Sequence, residues 1–87
     1  MRLVTEQENQ EFHLLLDTCI DKMNNDKNRY KPHWNTVSLT ELKLMIMIES
    51  HELVLATHRM DLDEMNSELD DIINLAMFMK HNILKGV

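Results

Sequence analysis

The stretch ESHELVLATHRMDLDEMNSELDD, residues 49–71, decides how this chain folds. It opens with Glu49 and Glu52 and closes with Glu68 and Asp71, and each pair keeps the i, i+3 spacing of one helical face. Positions 49 and 71 share their midpoint, Met60, with positions 52 and 68. A helix that reverses near Met60 therefore sets Glu49 level with Asp71 and Glu52 level with Glu68. On a wheel of about 100° per residue, Leu42, Met45, Ile46, Leu53, Ala56 and Met60 fall within roughly 60° of Glu49. Ile72, Leu75 and Phe78 flank Glu68 and Asp71 in the same way. Four carboxylates gathered among apolar side chains are costly unless their charge is offset, and a cation is the natural resolution.

Working outward, capping signals bound each helix. Ser38 and Glu41 open a helix expected to run over about 38–60, and Asp61 with Glu64 opens another over about 62–84. The second signal follows Met60 directly, as a tight helix–helix reversal requires. Within the last helix, Met65, Leu69, Ile72, Ala76, Met79 and Ile83 alternate by four and three and predict its packing seam. Gly86 marks its end, with Lys80, His81 and Lys85 suiting the negative end of the helix dipole. Upstream, Thr5 and Glu8 start a helix over about 5–23, with Phe12, Leu15, Leu16, Cys19, Ile20 and Met23 at helical spacing. Its Glu8/Glu11 pair has the spacing of the other acidic pairs but no matched partner, and reads as a solvated face.

Between these helices, residues 24–37 lose the apolar period and collect Lys27, Arg29 and Lys31 with the only Tyr, Trp and Pro of the chain. A connection of this length and composition favours function over idle linkage. The expected fold is all-α: a helical hairpin plus an N-terminal helix, a single domain over residues 1–87, with a short extra helix allowed in the loop.

Composition narrows the partners. A chain of 87 residues buries only about 60% of its unfolded surface when folded alone. Helix 38–60 is also apolar nearly all round between Leu44 and Ile48, so a second subunit is expected against it. The net charge of −6 disfavours a nucleic-acid or anionic-membrane surface. The apolar run from Leu44 to Ile48 is far shorter than the ~20 residues of a membrane span. The opening MRLVTEQENQ lacks a signal core, and one cysteine, Cys19, suits a reducing compartment, so a cytoplasmic place is expected. Cys19 reads as a small core residue, and His51 and His58 project away from the Glu49 face.

Carboxylates without His or Cys are hard oxygen ligands and select Mg²⁺ or Mn²⁺. Magnesium keeps open positions for water and phosphate oxygens, which suits a phosphate-ester substrate. The pattern Glu49-Ser-His-Glu52, a fifteen-residue gap, then Glu68-Leu-Asp-Asp71 resembles the all-α nucleoside triphosphate pyrophosphohydrolases of the MazG and dimeric dUTPase superfamily. The resemblance covers roughly residues 34–83. It implies a MazG-like four-helix-bundle oligomer, a homodimer or homotetramer. It also implies Mg²⁺ on residues matching these four, and hydrolysis of an NTP or dNTP to the monophosphate and pyrophosphate by water attack at the α-phosphorus. The family relation further places His33 and Trp34 at the base and Asn74 at a polar nucleotide contact. The chain departs from the family in having Ile48-Glu49-Ser50-His51-Glu52 where two adjacent glutamates and a glycine are common, and Asp70 where glycine or alanine is common.

Two other readings compete. A di-iron carboxylate bundle needs glutamate followed by histidine three residues on, which no glutamate of this chain has. A non-enzymatic helical interaction module, an antitoxin-like or phage adaptor dimer, explains the size and the apolar helix, but not four aligned acids on apolar faces.

Overall fold

The computed structural model describes residues 2–25 and 34–86. Three α-helices make up nearly all of this: α1 (Glu6–Asn25), α2 (Leu39–His58) and α3 (Leu62–Leu84), with a single 3₁₀ turn at Trp34–Thr36. No strand occurs among the described residues. The all-α expectation holds, and the helix bounds agree with the capping signals to within about two residues.

The caps show why. Thr5 Oγ1 accepts from the Glu8 N–H at 3.1 Å while Glu8 Oε1 accepts from the Thr5 N–H at 3.0 Å, a complete reciprocal capping box. Hydrogen bonding from the Thr5 backbone N–H, and then from its side chain, holds the Glu8 carboxyl below its usual range, and Glu8 and Glu11 are both exposed, as a solvated face requires. Ser38 Oγ accepts from the Glu41 N–H, and Asp61 Oδ1 from the Glu64 N–H, each at 3.1 Å. Each such cap contributes about 1 kcal/mol.

The α2–α3 reversal is a Schellman motif. The Asp61 N–H donates to the Ala56 carbonyl at 3.1 Å and the Met60 N–H to the Thr57 carbonyl at 3.0 Å. This geometry puts Met60 at φ 54°, in the left-handed region that glycine takes without penalty. Met60 therefore lies at the turn with its side chain 74% exposed, and not on the apolar face of α2 as the wheel predicts. At the end of α3 the same role falls to Gly86, at φ 75°.

α3 is the central element: α2 packs along it, the Trp34–Thr36 turn covers its C-terminal half, and α1 reaches α3 but not α2. Leu42, Leu75 and Phe78 form the core, joined by Met23, Trp34, Val37, Met45, Ile46 and Met79. The buried row of α3 is Glu68, Asp71, Leu75, Phe78 and Asn82, spaced three and four. It lies one residue away from the predicted seam, whose Leu69 and Ile83 are exposed. The apolar row is the more hydrophobic of the two, yet the row carrying the acids is the one turned inward.

Candidate metal centre

Because α2 and α3 run antiparallel from the Met60 turn, their acidic pairs meet. Glu49, Glu68 and Asp71 offer carboxylate oxygens that all lie within 4.8 Å of one another. A second group, Glu52, Glu64 and Glu68, does the same, so Glu68 belongs to both. The four residues singled out by spacing are thus brought together, and Glu64 joins them as a fifth. Burial is graded across the cluster: Glu68 and Asp71 are each 2% exposed, Glu49 and Glu64 are half-buried, and Glu52 faces solvent. The cluster is closed at the Asp71 end and open at the Glu52 end.

The electrostatics follow from this crowding. The hydrogen bond with Glu49 and the loss of solvent push the Glu68 carboxyl up to about 7, reinforced by the negative charges of Glu49 and Asp71. Glu64 is raised as well, chiefly by its hydrogen bond with Glu68. Oε2 of Glu68 is sealed from solvent and no donor group of the described residues reaches it, so the hydrogen bonding of Glu68 with Glu49 and Glu64 depends on a proton shared between carboxyls. Among the described residues no ion pair reaches Glu49, Glu52, Glu64 or Glu68. A buried carboxylate oxygen left in this state is costly. A hard divalent cation satisfies it directly, and the all-oxygen donor set fits Mg²⁺ or Mn²⁺.

Asp71 is treated differently. The Lys22 ammonium of α1 lies 3.2 Å from Asp71 Oδ1 and 3.9 Å from Asp70 Oδ2. Lys22 Nζ also donates to the carbonyl and the hydroxyl of Ser67, at 3.2 and 3.1 Å. One turn earlier, the Cys19 thiol donates to Asp70 Oδ1 at 3.4 Å, and the Cys19 carbonyl accepts from Asn74 Nδ2 at 3.0 Å. Asp70, the departure from the family pattern, is therefore turned toward α1. Cys19 is buried, as expected of a small core residue.

The remaining expected site residues fall elsewhere. Asn74 has no exposed surface and ties α1 to α3 through its amide N–H. Trp34 stacks on Phe78, with ring centroids 4.5 Å apart and planes 11° apart, and meets His81 edge-on at 5.0 Å. Its carbonyl accepts from Asn82 Nδ2 at 3.1 Å. Phe78 lies seven residues beyond Asp71, so this aromatic group stands about 10 Å along α3 from the acids. His33, Lys27, Arg29 and Lys31 lie outside the described residues. His51 and His58 are exposed and take no part.

Lys22 and Glu64 are the site residues that sequence spacing does not single out. Each carries a faint signal: Lys22 follows Cys19 by three residues on the inward face of α1, and Glu64 precedes Glu68 by four. Glu64 reads as the capping-box residue of α3, and its N–H does serve that cap while its carboxyl turns to Glu68. Comparison of the chain with protein-family models, with curated proteins and with solved structures finds no match.

Proposed function

We propose that this chain is a Mg²⁺-dependent nucleoside triphosphate pyrophosphohydrolase. It cleaves an NTP or dNTP to the monophosphate and pyrophosphate by water attack at the α-phosphorus, with Mn²⁺ as a substitute ion. The observation that carries the reading is Glu68 Oε2, sealed and reached by no donor group of the described residues, amid the carboxylates of Glu49 and Asp71. In this reading Glu49, Glu68 and Asp71 hold the cation from the closed side. Glu52 and Glu64, at the open edge, take the proton of the attacking water and face the incoming phosphates. A bound Mg²⁺ supplies the positive charge that lets phosphates approach five acidic groups and that offsets charge developing in the transition state. The base is proposed to lie toward the Trp34 end of α3, with Trp34 and His33 proposed to contact it.

The proposal extends to assembly and place: a homodimer or homotetramer acting in the cytoplasm. Support for self-association is the outer face of α2, where Leu44, Met47, Ile48, Val54 and Leu55 are 43% to 58% exposed. No described helix is long and apolar enough to cross a membrane. The same apolar face favours the second reading, a helical interaction module without catalysis.

One experiment separates the two. Incubation with a panel of NTPs and dNTPs plus Mg²⁺ should release pyrophosphate, and Glu68→Gln should abolish the release. Orthophosphate as the product would overturn attack at the α-phosphorus. No turnover of any nucleotide, together with no Mn²⁺ binding, would leave the interaction module.

A further inference from the structure

Three polar links join α1 to α3 around the acidic segment, through Lys22, Cys19 and Asn74, and all of them land between Ser67 and Asn74. Lys22 is the residue among them that touches the metal cluster itself. Its ammonium is held by two oxygens of Ser67, so its position is set by the backbone of α3 and not by Asp71 alone. From that fixed point it pairs with Oδ1 of Asp71, a side chain only 3% exposed.

We infer that Lys22 is a positioning residue for Asp71: it anchors one carboxylate oxygen so that the group is presented to a divalent cation shared with Glu49 and Glu68. The inference rests on the reading of the acidic cluster as a cation site. A metal-binding carboxylate is oriented by the group that bonds it from behind, and loss of such a partner typically lowers metal affinity by about 10- to 100-fold. Against this runs simple repulsion between an ammonium and a nearby divalent ion, which would make removal of Lys22 tighten binding. The Ser67 contacts favour the first, because they fix Nζ on the α3 backbone independently of Asp71.

The test is Mn²⁺ binding, read by electron paramagnetic resonance on the full chain, with helix content checked by circular dichroism. The wild type should bind. Lys22→Met should bind at least tenfold more weakly at unchanged helix content, and Lys22→Arg, which keeps the charge and the hydrogen bonds, should stay within about threefold of the wild type. Should Lys22→Met fail to fold, Ser67→Ala, which removes only the hydroxyl behind Lys22, should still weaken binding measurably. Unchanged or tighter binding by Lys22→Met, or by Ser67→Ala where that variant is the one read, would overturn the positioning role while leaving the metal site intact. A wild type that binds no Mn²⁺ would overturn both.

Discussion

Glu68 concentrates the chemistry of this protein in one side chain. It belongs to both three-carboxylate groups, and its carboxyl is raised from 4.5 to about 7. The folded state therefore binds this proton more tightly than the unfolded chain. The stabilisation that results is fully present below about pH 4.5 and is lost as pH rises through about 7. Thermal melts in a chelator should show a Tm that falls between pH 5 and pH 8, and Glu68→Gln should flatten that fall. In the proposed function an ion takes the place of the proton, so Mg²⁺ should raise Tm more at pH 8 than at pH 5.5. At a hundredfold excess over Kd the stabilisation is about 2.7 kcal/mol. A Tm indifferent to Mg²⁺ at pH 8 would count against the cation site. Cys19 offers an independent check on the α1–α3 contact. Burial and the hydrogen bond to Asp70 push its thiol up to about 11, which leaves about 100-fold less thiolate at pH 8 than an ordinary cysteine has. Alkylation by iodoacetamide, followed by mass spectrometry, should be correspondingly slow until the protein is denatured. Rapid labelling of the native protein would mean that α1 does not rest on α3 as described.

The hairpin of α2 and α3 is the element whose geometry makes the site, and it turns on a strained residue. Met60 occupies the left-handed position of the Schellman turn, which costs a non-glycine residue about 1–2 kcal/mol. Its side chain is largely in solvent, so little packing is lost with it. Met60→Gly should raise Tm by about 3–6 °C, less than the full strain because glycine also loosens the unfolded chain. A lowered Tm would show that the Met60 side chain is engaged in a contact outside this chain. Much of the hairpin was legible beforehand, because Ser38/Glu41, Asp61/Glu64 and the shared midpoint at Met60 are local signals, each acting within four residues. The all-α class and the meeting of Glu49, Glu52, Glu68 and Asp71 followed from them. What local signals do not carry is which of two adjacent rows on α3 faces inward. Met65–Ile83 is the more apolar row, but the row holding Glu68 and Asp71, with Leu75, Phe78 and Asn82, is the buried one. Lys22 is only faintly marked in the sequence for a related reason: its partners lie 45 to 49 residues away, on a helix whose distance from α1 no periodicity encodes.

At the scale of the whole molecule, the isolated chain is too open for its size. Its accessible surface is 6733 Å², about 1,300 Å² more than the ~5,400 Å² of a compact monomer of this mass. Its radius of gyration of 14.3 Å likewise exceeds the ~12 Å expected of a compact domain of 87 residues. The excess resembles what one or two interfaces of ~800 Å² per partner remove. Two separate apolar surfaces lie open among the described residues. One is the outer face of α2, with Leu44, Met47, Ile48 and Leu55. The other is a groove of about 230 Å³ between α1 and α3, lined by Leu15, Cys19, Leu69 and Ile73 among others. Because α1 does not reach α2, one partner seated on either surface leaves the other uncovered. In the proposed assembly, two isologous contacts, one through each surface, close a tetramer. Light scattering on a sizing column should therefore give four times the 10.4 kDa chain mass. Ile48→Glu should cut that to two, and so should Leu15→Glu, since a charge buried in either contact costs several kcal/mol. The double variant should run as a monomer. A wild type already at 10.4 kDa at micromolar concentration would mean that neither face joins copies of this chain, and that its openness serves a different partner.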